Sequence, residues 1–283
     1  MHRNGFQRPF EVMQIYSWVL TVVLIMCSLF ILAPLLDTPF QYIFFVLSVL
    51  SSVTVITLCI VTTITDPKDP SIEKDNRELP CYCYLCNAHI PKTTKHCRKC
   101  QKCIENFDHH CLWLNNCIGK SNYSLFISLL VACSIMLLIN CLASIYLVII
   151  FIINPSLADS TLFANYISIS LPYYVYMIIL AVILIINIIP LGYILQLLFF
   201  HIRLIYLHET TYSFLIKKER KNKLKKTQMK LEKYNKESQQ YNMHAHSEVV
   251  RDPKLNVELE EVQVRRSSSA SSFFATDKIS PLS

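Results

Sequence analysis

Along this chain the apolar residues gather into four unbroken runs, roughly Ile15 to Leu36, Phe40 to Thr65, Tyr123 to Ile153 and Pro172 to His201. None carries the period of two of a half-buried strand or the 3.6 of an amphipathic helix. Each exceeds the roughly 20 residues that a helix needs to cross a bilayer. In hydrocarbon only helices and closed barrels satisfy their own backbone, and runs without alternation exclude barrel strands. The pattern predicts an all-α polytopic membrane protein with four transmembrane helices. The first run has too long an apolar core for a cleaved secretory signal, no small-residue cleavage site follows it, and a second span comes at once, so it reads as retained.

Charge orients the spans. Arg3 and Arg8 precede the first, nine Lys/Arg lie between Lys68 and Lys120, and sixteen lie from Arg203 onward, which accounts for all 27. The turn near Asp37 and the loop from Asn154 to Leu171 hold none. Cations collect on the cytoplasmic side, so both termini and the segment between spans two and three are expected in the cytosol. The expected organisation is a cytosolic N-terminus (1–14), helices one and two (15–65), a cytosolic Cys-rich domain (66–122), helices three and four (123–201) with a lumenal loop near 154–171, and a basic, Ser-rich tail (202–283), largely disordered.

Composition changes the picture through cysteine, since eight of the twelve fall between Cys81 and Cys117. In a reducing cytosol such density argues for metal or catalysis and against disulfides. Cys27, Cys59, Cys133 and Cys141 lie in spans and read as small packing residues. Ten residues are candidate ligands: Cys83, Cys86, His96, Cys97, Cys100, Cys103, His109, His110, Cys111 and Cys117. Structural zinc takes four N/S ligands, often from a CxxC turn, and two such turns are present, Cys83/Cys86 and Cys97/Cys100. A polar segment this short cannot build a core of its own, so metal must supply the folding energy. Two zinc ions need eight ligands, which leaves two of the ten surplus, and spacing alone does not say which. Only Asp108-His109-His110-Cys111 puts an acid, an imidazole and a thiol side by side, as an activated nucleophile requires. The same residues could simply extend a zinc knuckle.

The run from Cys83 to Phe126, with Asn122 before it, resembles the DHHC cysteine-rich domain of the protein S-acyltransferases (palmitoyltransferases) in every interval and in its place between spans two and three. The resemblance covers roughly residues 10 to 215. It implies one zinc on Cys83, Cys86, His96 and Cys103, and another on Cys97, Cys100, His110 and Cys117. It implies Cys111 as nucleophile, His109 as its base and Asp108 as the group that polarises the base. The reaction implied is two transfers: an acyl group, palmitoyl or similar, passes from acyl-CoA to Cys111 and then to a cysteine of a membrane-associated protein. The chain would lie in a cavity among the spans, with Trp113 near the mouth, Phe126 and Leu129 along the wall and Met136 near the closed end. Met136 is thirteen residues beyond Tyr123, hence about 20 Å deep at 1.5 Å per residue. Family members occupy endoplasmic reticulum or Golgi/endosomal membranes.

The chain departs from the family pattern at three points: Lys68 stands where a glycine follows Asp66-Pro67, Ser213 stands where a glutamate follows Thr210-Thr211, and Leu112 replaces a frequent proline. These are read as subgroup character. Lys92, Lys95, Arg98, Lys99 and Lys102 sit among the ligands, where cations could meet the phosphates of coenzyme A, although a solvated cytosolic face explains them equally. Lys217 to Lys236 could lie on anionic lipid or form a solvated charged helix. Beyond it, Arg265-Arg266 ahead of Ser268 would suit a basophilic kinase. No recognition helix or aromatic platform points to nucleic acid. The alternative function is a membrane-anchored zinc-domain scaffold without turnover.

Overall fold

In the computed structural model, which describes residues 4–74, 77–160 and 172–251, four helices are long and apolar enough to cross a membrane: α1 (Val12–Leu35), α2 (Phe40–Ile64), α3 (Tyr123–Ile153) and α4 (Tyr173–Tyr206). They fit a multi-pass membrane protein. Helix ends differ from the apolar runs because hydropathy reports where lipid ends, whereas a helix stops only where its backbone bonding stops. α4 therefore continues past His201 and Arg203 to Tyr206, and α1 starts at Val12 instead of Ile15. α1 widens to a π turn over Ser28–Leu32 before its last turn, Ala33–Leu35. Pro34 has no N–H to offer the carbonyl four residues back, and a wider turn just ahead of it accommodates the loss.

α3 is the central helix. It packs against α2 on one side and α4 on the other, and 44% of its most apolar window is buried, against 22–28% in the other spans. Small residues, Ala132, Ser134, Ala143 and Ser144, lie on its buried face and let neighbouring backbones approach.

The buried apolar residues form two clusters at different depths. One contains Leu24, Val55, Cys111, Phe126, Leu129, Met136 and Leu191, and the other contains Leu32, Phe44, Leu147, Phe151, Tyr176 and Leu180. Between them runs a hydrogen-bonded layer with one side chain from each span. The Ser28 hydroxyl lies 2.9 Å from Ser48 Oγ and 3.0 Å from Asn140 Oδ1, and the Asn140 amide donates to Asn187 Oδ1 at 3.1 Å. Asn187 in turn donates to the Ile183 carbonyl at 2.8 Å. All four residues are buried, so each polar atom must find its partner within the layer.

Between α2 and α3 the chain makes three short antiparallel hairpins: β1 (Cys81–Cys83) with β2 (Ala88–Ile90), β3 (Lys95–Cys97) with β4 (Lys102–Ile104), and β5 (His109–Cys111) with β6 (Asn116–Ile118). A helix, α5 (Thr211–Arg251), follows α4. Where the sequence reading expects a largely disordered tail, residues up to Arg251 are thus helical, and the part beyond Ile216 forms a separate compact unit. The i,i+4 pairs Glu219–Lys223 and Lys233–Glu237 support the helix. The Ser-rich stretch with Arg265, Arg266 and Ser268, and positions 161–171 of the expected lumenal loop, lie outside the described residues.

The polar layer gives a test of packing. Asn140→Ala removes bonds to two helices and leaves Ser28 and Asn187 short of partners, so thermal unfolding in detergent should show a loss of about 1–3 kcal/mol. Ser51→Ala, whose hydroxyl only bonds back to the Ser48 carbonyl within α2, should change stability by less than about 0.5 kcal/mol.

Candidate functional site

The three hairpins are one unit repeated at an interval of 14 residues. Cys81-Tyr82-Cys83, Lys95-His96-Cys97 and His109-His110-Cys111 form the outgoing strands, and Ala88-His89-Ile90, Lys102-Cys103-Ile104 and Asn116-Cys117-Ile118 return in identical register. Each turn closes on a left-handed residue just before the return strand: Asn87 (φ 51°), Gln101 (φ 53°) and Asn115 (φ 49°). Asparagine tolerates that conformation better than most residues and occupies two of the three sites, Asn87 and Asn115.

The repeat determines how the ligands meet. Cys83 and Cys86 of the first hairpin face His96 and Cys103 of the second, and Cys97 and Cys100 of the second face His110 and Cys117 of the third. In the first quartet His96 Nδ1 is 3.2–3.7 Å from the three sulfurs, and Cys86 and Cys103 are 3.6 Å apart. In the second, His110 Nδ1 is 3.3–3.9 Å from the sulfurs, and Cys100 and Cys117 are 3.3 Å apart. A tetrahedral ion bound at about 2.1–2.3 Å spaces its donors by roughly 3.4–3.8 Å, so both quartets fit such an ion.

Cys111 and Leu114 occupy, in the third hairpin, the positions that Cys97 and Cys100 occupy in the second. No fourth hairpin follows to complete a third quartet, because α3 begins at Tyr123. At the opposite end of the repeat, Tyr82 and His89 stand where His96 and Cys103 pair, and their rings meet at 5.0 Å. Of the ten candidate ligands the two quartets take eight and leave out Cys111 and His109, the latter grouped instead with Asp108 and His201.

His109 Nδ1 donates to Asp108 Oδ2 at 2.6 Å, and the other carboxylate oxygen accepts the Thr211 N–H at 2.7 Å. Thr211 opens α5, so Asp108 sits at a helix N-terminus, where partial positive charge favours a carboxylate. Thr210 and Ser213 cap this end reciprocally: Thr210 N–H donates to Ser213 Oγ at 3.0 Å and Ser213 N–H to Thr210 Oγ1 at 3.2 Å. Ser213 thus fills the capping-box position where a glutamate would reach back. Burial raises the Asp108 pKa, but the bonds from His109 and Thr211 outweigh it and hold the carboxyl below its usual range. For His109, burial works downward, yet Asp108 and the Cys111 sulfur prevail and raise the imidazole to about 9.

Cys111 is tied to the bundle through its cross-strand partner. Asn116 donates to the carbonyls of Thr62, Thr63 and Thr65 at 2.9–3.3 Å, seating the third hairpin on the open end of α2. An N-terminal strap closes over the same joint: Gly5 N–H donates to the Thr63 carbonyl at 2.9 Å, and a Cβ on Gly5 would lie 2.0 Å from the Leu114 carbonyl oxygen. Asn122 fastens the far side, accepting from Gly119 N–H and donating to the Cys117 carbonyl.

Cys111 is buried in the same apolar cluster as Phe126, Leu129 and Met136, while Trp113 is half exposed with its ring 6.1 Å from that of Tyr16. Of the cations, Lys95 stands over the Tyr212 ring at 6.0 Å and Arg98 is exposed. Lys99 pairs with Glu11, and Lys102 is fully buried against Asp66 at 2.5 Å. Lys102 is therefore not placed to meet a solvent-borne phosphate. Lys68, where a glycine was expected, closes a turn with its N–H on Asp66 Oδ1 and its ammonium on Glu73. The sequence reading passed over His201. It lies at the end of an apolar run, yet it is 1% exposed with its ring 5.9 Å from that of His109.

A model of the DHHC palmitoyltransferase family matches residues 76–218, and the chain belongs to this family. It is 35% identical over 150 residues to probable protein S-acyltransferase 20 of Arabidopsis thaliana, a match covering 52% of this chain and 21% of that protein. It is 47% identical over 53 residues to palmitoyltransferase ZDHHC18-B of Danio rerio, covering 19% and 14%. With palmitoyltransferase ZDHHC8 of Drosophila melanogaster it shares 43% over 79 residues, covering 28% and 8%. The chain thus spans about a fifth or less of the length of these relatives.

Because each quartet draws on two hairpins, losing one ligand should unlock both. Elemental analysis of the purified chain should find two metal ions, retained in Cys111→Ser and reduced in Cys97→Ser and His110→Ala, which should also fold poorly. Loss of metal in Cys111→Ser would overturn the division of the ten residues.

Proposed function

We propose that the chain is a protein S-acyltransferase that carries a long-chain acyl group, palmitoyl by family likeness, from acyl-CoA to cysteines of membrane-associated proteins. The observation that carries this reading is the Asp108–His109 pair beside Cys111, the one thiol of the hairpin repeat that has a base and no quartet, set in the apolar cluster of the bundle. The two quartets are assigned to zinc, which suits a Cys3His tetrahedron and supplies folding energy to a segment with little apolar core. Its chemistry is structural.

In the first transfer His109 Nε2 receives the Cys111 proton while Nδ1 remains bonded to Asp108, and the thiolate attacks the thioester carbonyl. The C–S bond to coenzyme A breaks, and the leaving thiolate takes a proton from His109. In the second, a substrate cysteine gives its proton to His109 and attacks the Cys111 thioester; the C–S bond to Cys111 breaks, and the Cys111 sulfur takes the proton back from His109. Each step exchanges one thioester for another, so the protein's contribution is placement and proton handling. The acyl chain runs from Cys111 along Phe126 and Leu129 toward Met136, one helical turn short of Asn140 and the polar layer. Lys95 and Arg98 are assigned to the coenzyme A phosphates. Both termini and the hairpins face the cytosol, on endoplasmic reticulum or Golgi/endosomal membranes.

Hydroxylamine-labile labelling of purified protein with palmitoyl-CoA should be abolished in Cys111→Ala and slowed about 10²- to 10⁴-fold in His109→Ala. Label that survives in Cys111→Ala but disappears in Cys81→Ala would move the nucleophile, and none in the parent would favour a scaffold. With competing fourteen-, sixteen- and eighteen-carbon donors, Met136→Ala should shift selection toward longer chains and Met136→Trp toward shorter ones. Unchanged product ratios would remove Met136 from the end of the path.

A further inference from the structure

The bond to Asp108 fixes one atom of the His109 ring and leaves the ring able to pivot about it. Nε2 must nonetheless point at Cys111, so something else has to set the tilt. Two side chains wall the imidazole: Phe126 of α3, edge-on at 5.3 Å and 69°, and His201 of α4, at 5.9 Å and 42°. Phe126 and His201 also brace each other at 5.2 Å and 75°. One nitrogen of His201 falls with one of His109 and an Asp108 oxygen in a group no wider than 4.8 Å.

His201 is itself held. Its Nδ1 lies 3.2 Å from the hydroxyl of Tyr123, the first residue of α3. With the hydroxyl donating, the ring is neutral and carries its proton on Nε2, so no second cation stands beside His109 when that ring takes the Cys111 proton. Tyr123 follows Asn122, whose side chain grips the third hairpin, so a continuous line runs from the hairpin of Cys111 through Tyr123 and His201 back to His109. A phenyl ring at position 201 would fill similar space but would leave the Tyr123 hydroxyl without this partner. The same helix end also leads, ten residues on, to the Thr211 N–H that holds Asp108.

We propose that His201 is a positioning residue that acts through His109: it sets the tilt of the base, and Tyr123 sets His201. The assignment rests on the reading of Asp108, His109 and Cys111 as the reacting set. α4 and the first residue of α5 then support the two members of the acid–base pair, α4 by the His201 ring and α5 by the Thr211 N–H.

The test uses the full chain in detergent, with two measurements on each variant: acyl-enzyme formation across palmitoyl-CoA concentrations, and the rate of Cys111 alkylation by iodoacetamide at pH 7, taken as the difference from Cys111→Ala. Because a misplacement near 1 Å costs up to about 100-fold, His201→Ala should lower the maximal rate about 10- to 100-fold and slow alkylation, with KM within about twofold and both metal ions retained. Tyr123→Phe and His201→Phe remove the same hydrogen bond, so each should cost about 3- to 10-fold, and the double variant should be no worse than the weaker single. A maximal rate for His201→Ala within about twofold of the parent would overturn the proposal, as would single effects that multiply in the double variant. Should His201→Ala fail to fold, Tyr123→Phe decides alone, and a parent-like rate there refutes the link. If the parent forms no acyl-enzyme while alkylation still slows in the variants, positioning by His201 stands and the acyl-transfer reading falls.

Discussion

Two knots of four ligands, each shared between successive hairpins, hold the segment between α2 and α3 together. Strands three residues long bury too little to persist alone, and the apolar clusters near the quartets are small, built around Ile104 and Phe107 in one case and Ile72 and Ile90 in the other. The first hairpin is fixed by ligands of the second, and the second by ligands of the third, so order is passed along the repeat. What remains at the end is a hairpin with a cysteine in a ligand position and nothing to ligate with. The availability of Cys111 follows from where the repeat stops.

That explanation was present in the sequence but hidden from ligand arithmetic. Pairing cysteines by CxxC spacing yields ten candidates and no way to reject two, whereas aligning the hairpins at 14 residues shows Leu114 where a second cysteine would stand. The four spans were legible because lipid demands long apolar runs, and their interior partners were not, because a helix wrapped in lipid has no amphipathic stripe to show which face is inside. Ser28, Ser48, Asn140 and Asn187 each look like isolated polar exceptions until the bundle brings them level. His201 was overlooked for a similar reason: it closes an apolar run and reads as the membrane boundary, while its actual neighbours come from α3 and the third hairpin. Lys102 counted as surface charge although it is enclosed against Asp66, since a positive-charge tally says nothing about burial.

Two of the three motif departures, at Ser213 and Lys68, are of different physical kinds. At Thr210–Ser213 the requirement is a capped helix whose first free N–H reaches Asp108, and a serine at the third helical position meets it by bonding back to Thr210. After Asp66-Pro67 the requirement is a turn, and Asp66 closes it by accepting the Lys68 N–H. A side-chain identity is replaced in both places, and the backbone geometry it served is kept.

The strap at Gly5 imposes an order in time. It lies against the Leu114 carbonyl and the end of α2 with no room for even a methyl group, although more than a hundred residues of chain separate its two sides. During synthesis at about 5–20 residues per second, the strap and the first two spans exist for on the order of 3–10 s before the third hairpin emerges. The N-terminus is then a half-built socket that waits in the membrane for the hairpin carrying Cys111. A nascent chain interrupted in that interval would leave the Thr62 and Thr65 carbonyls without the Asn116 amide that caps them, while Thr63 keeps its bond from Gly5.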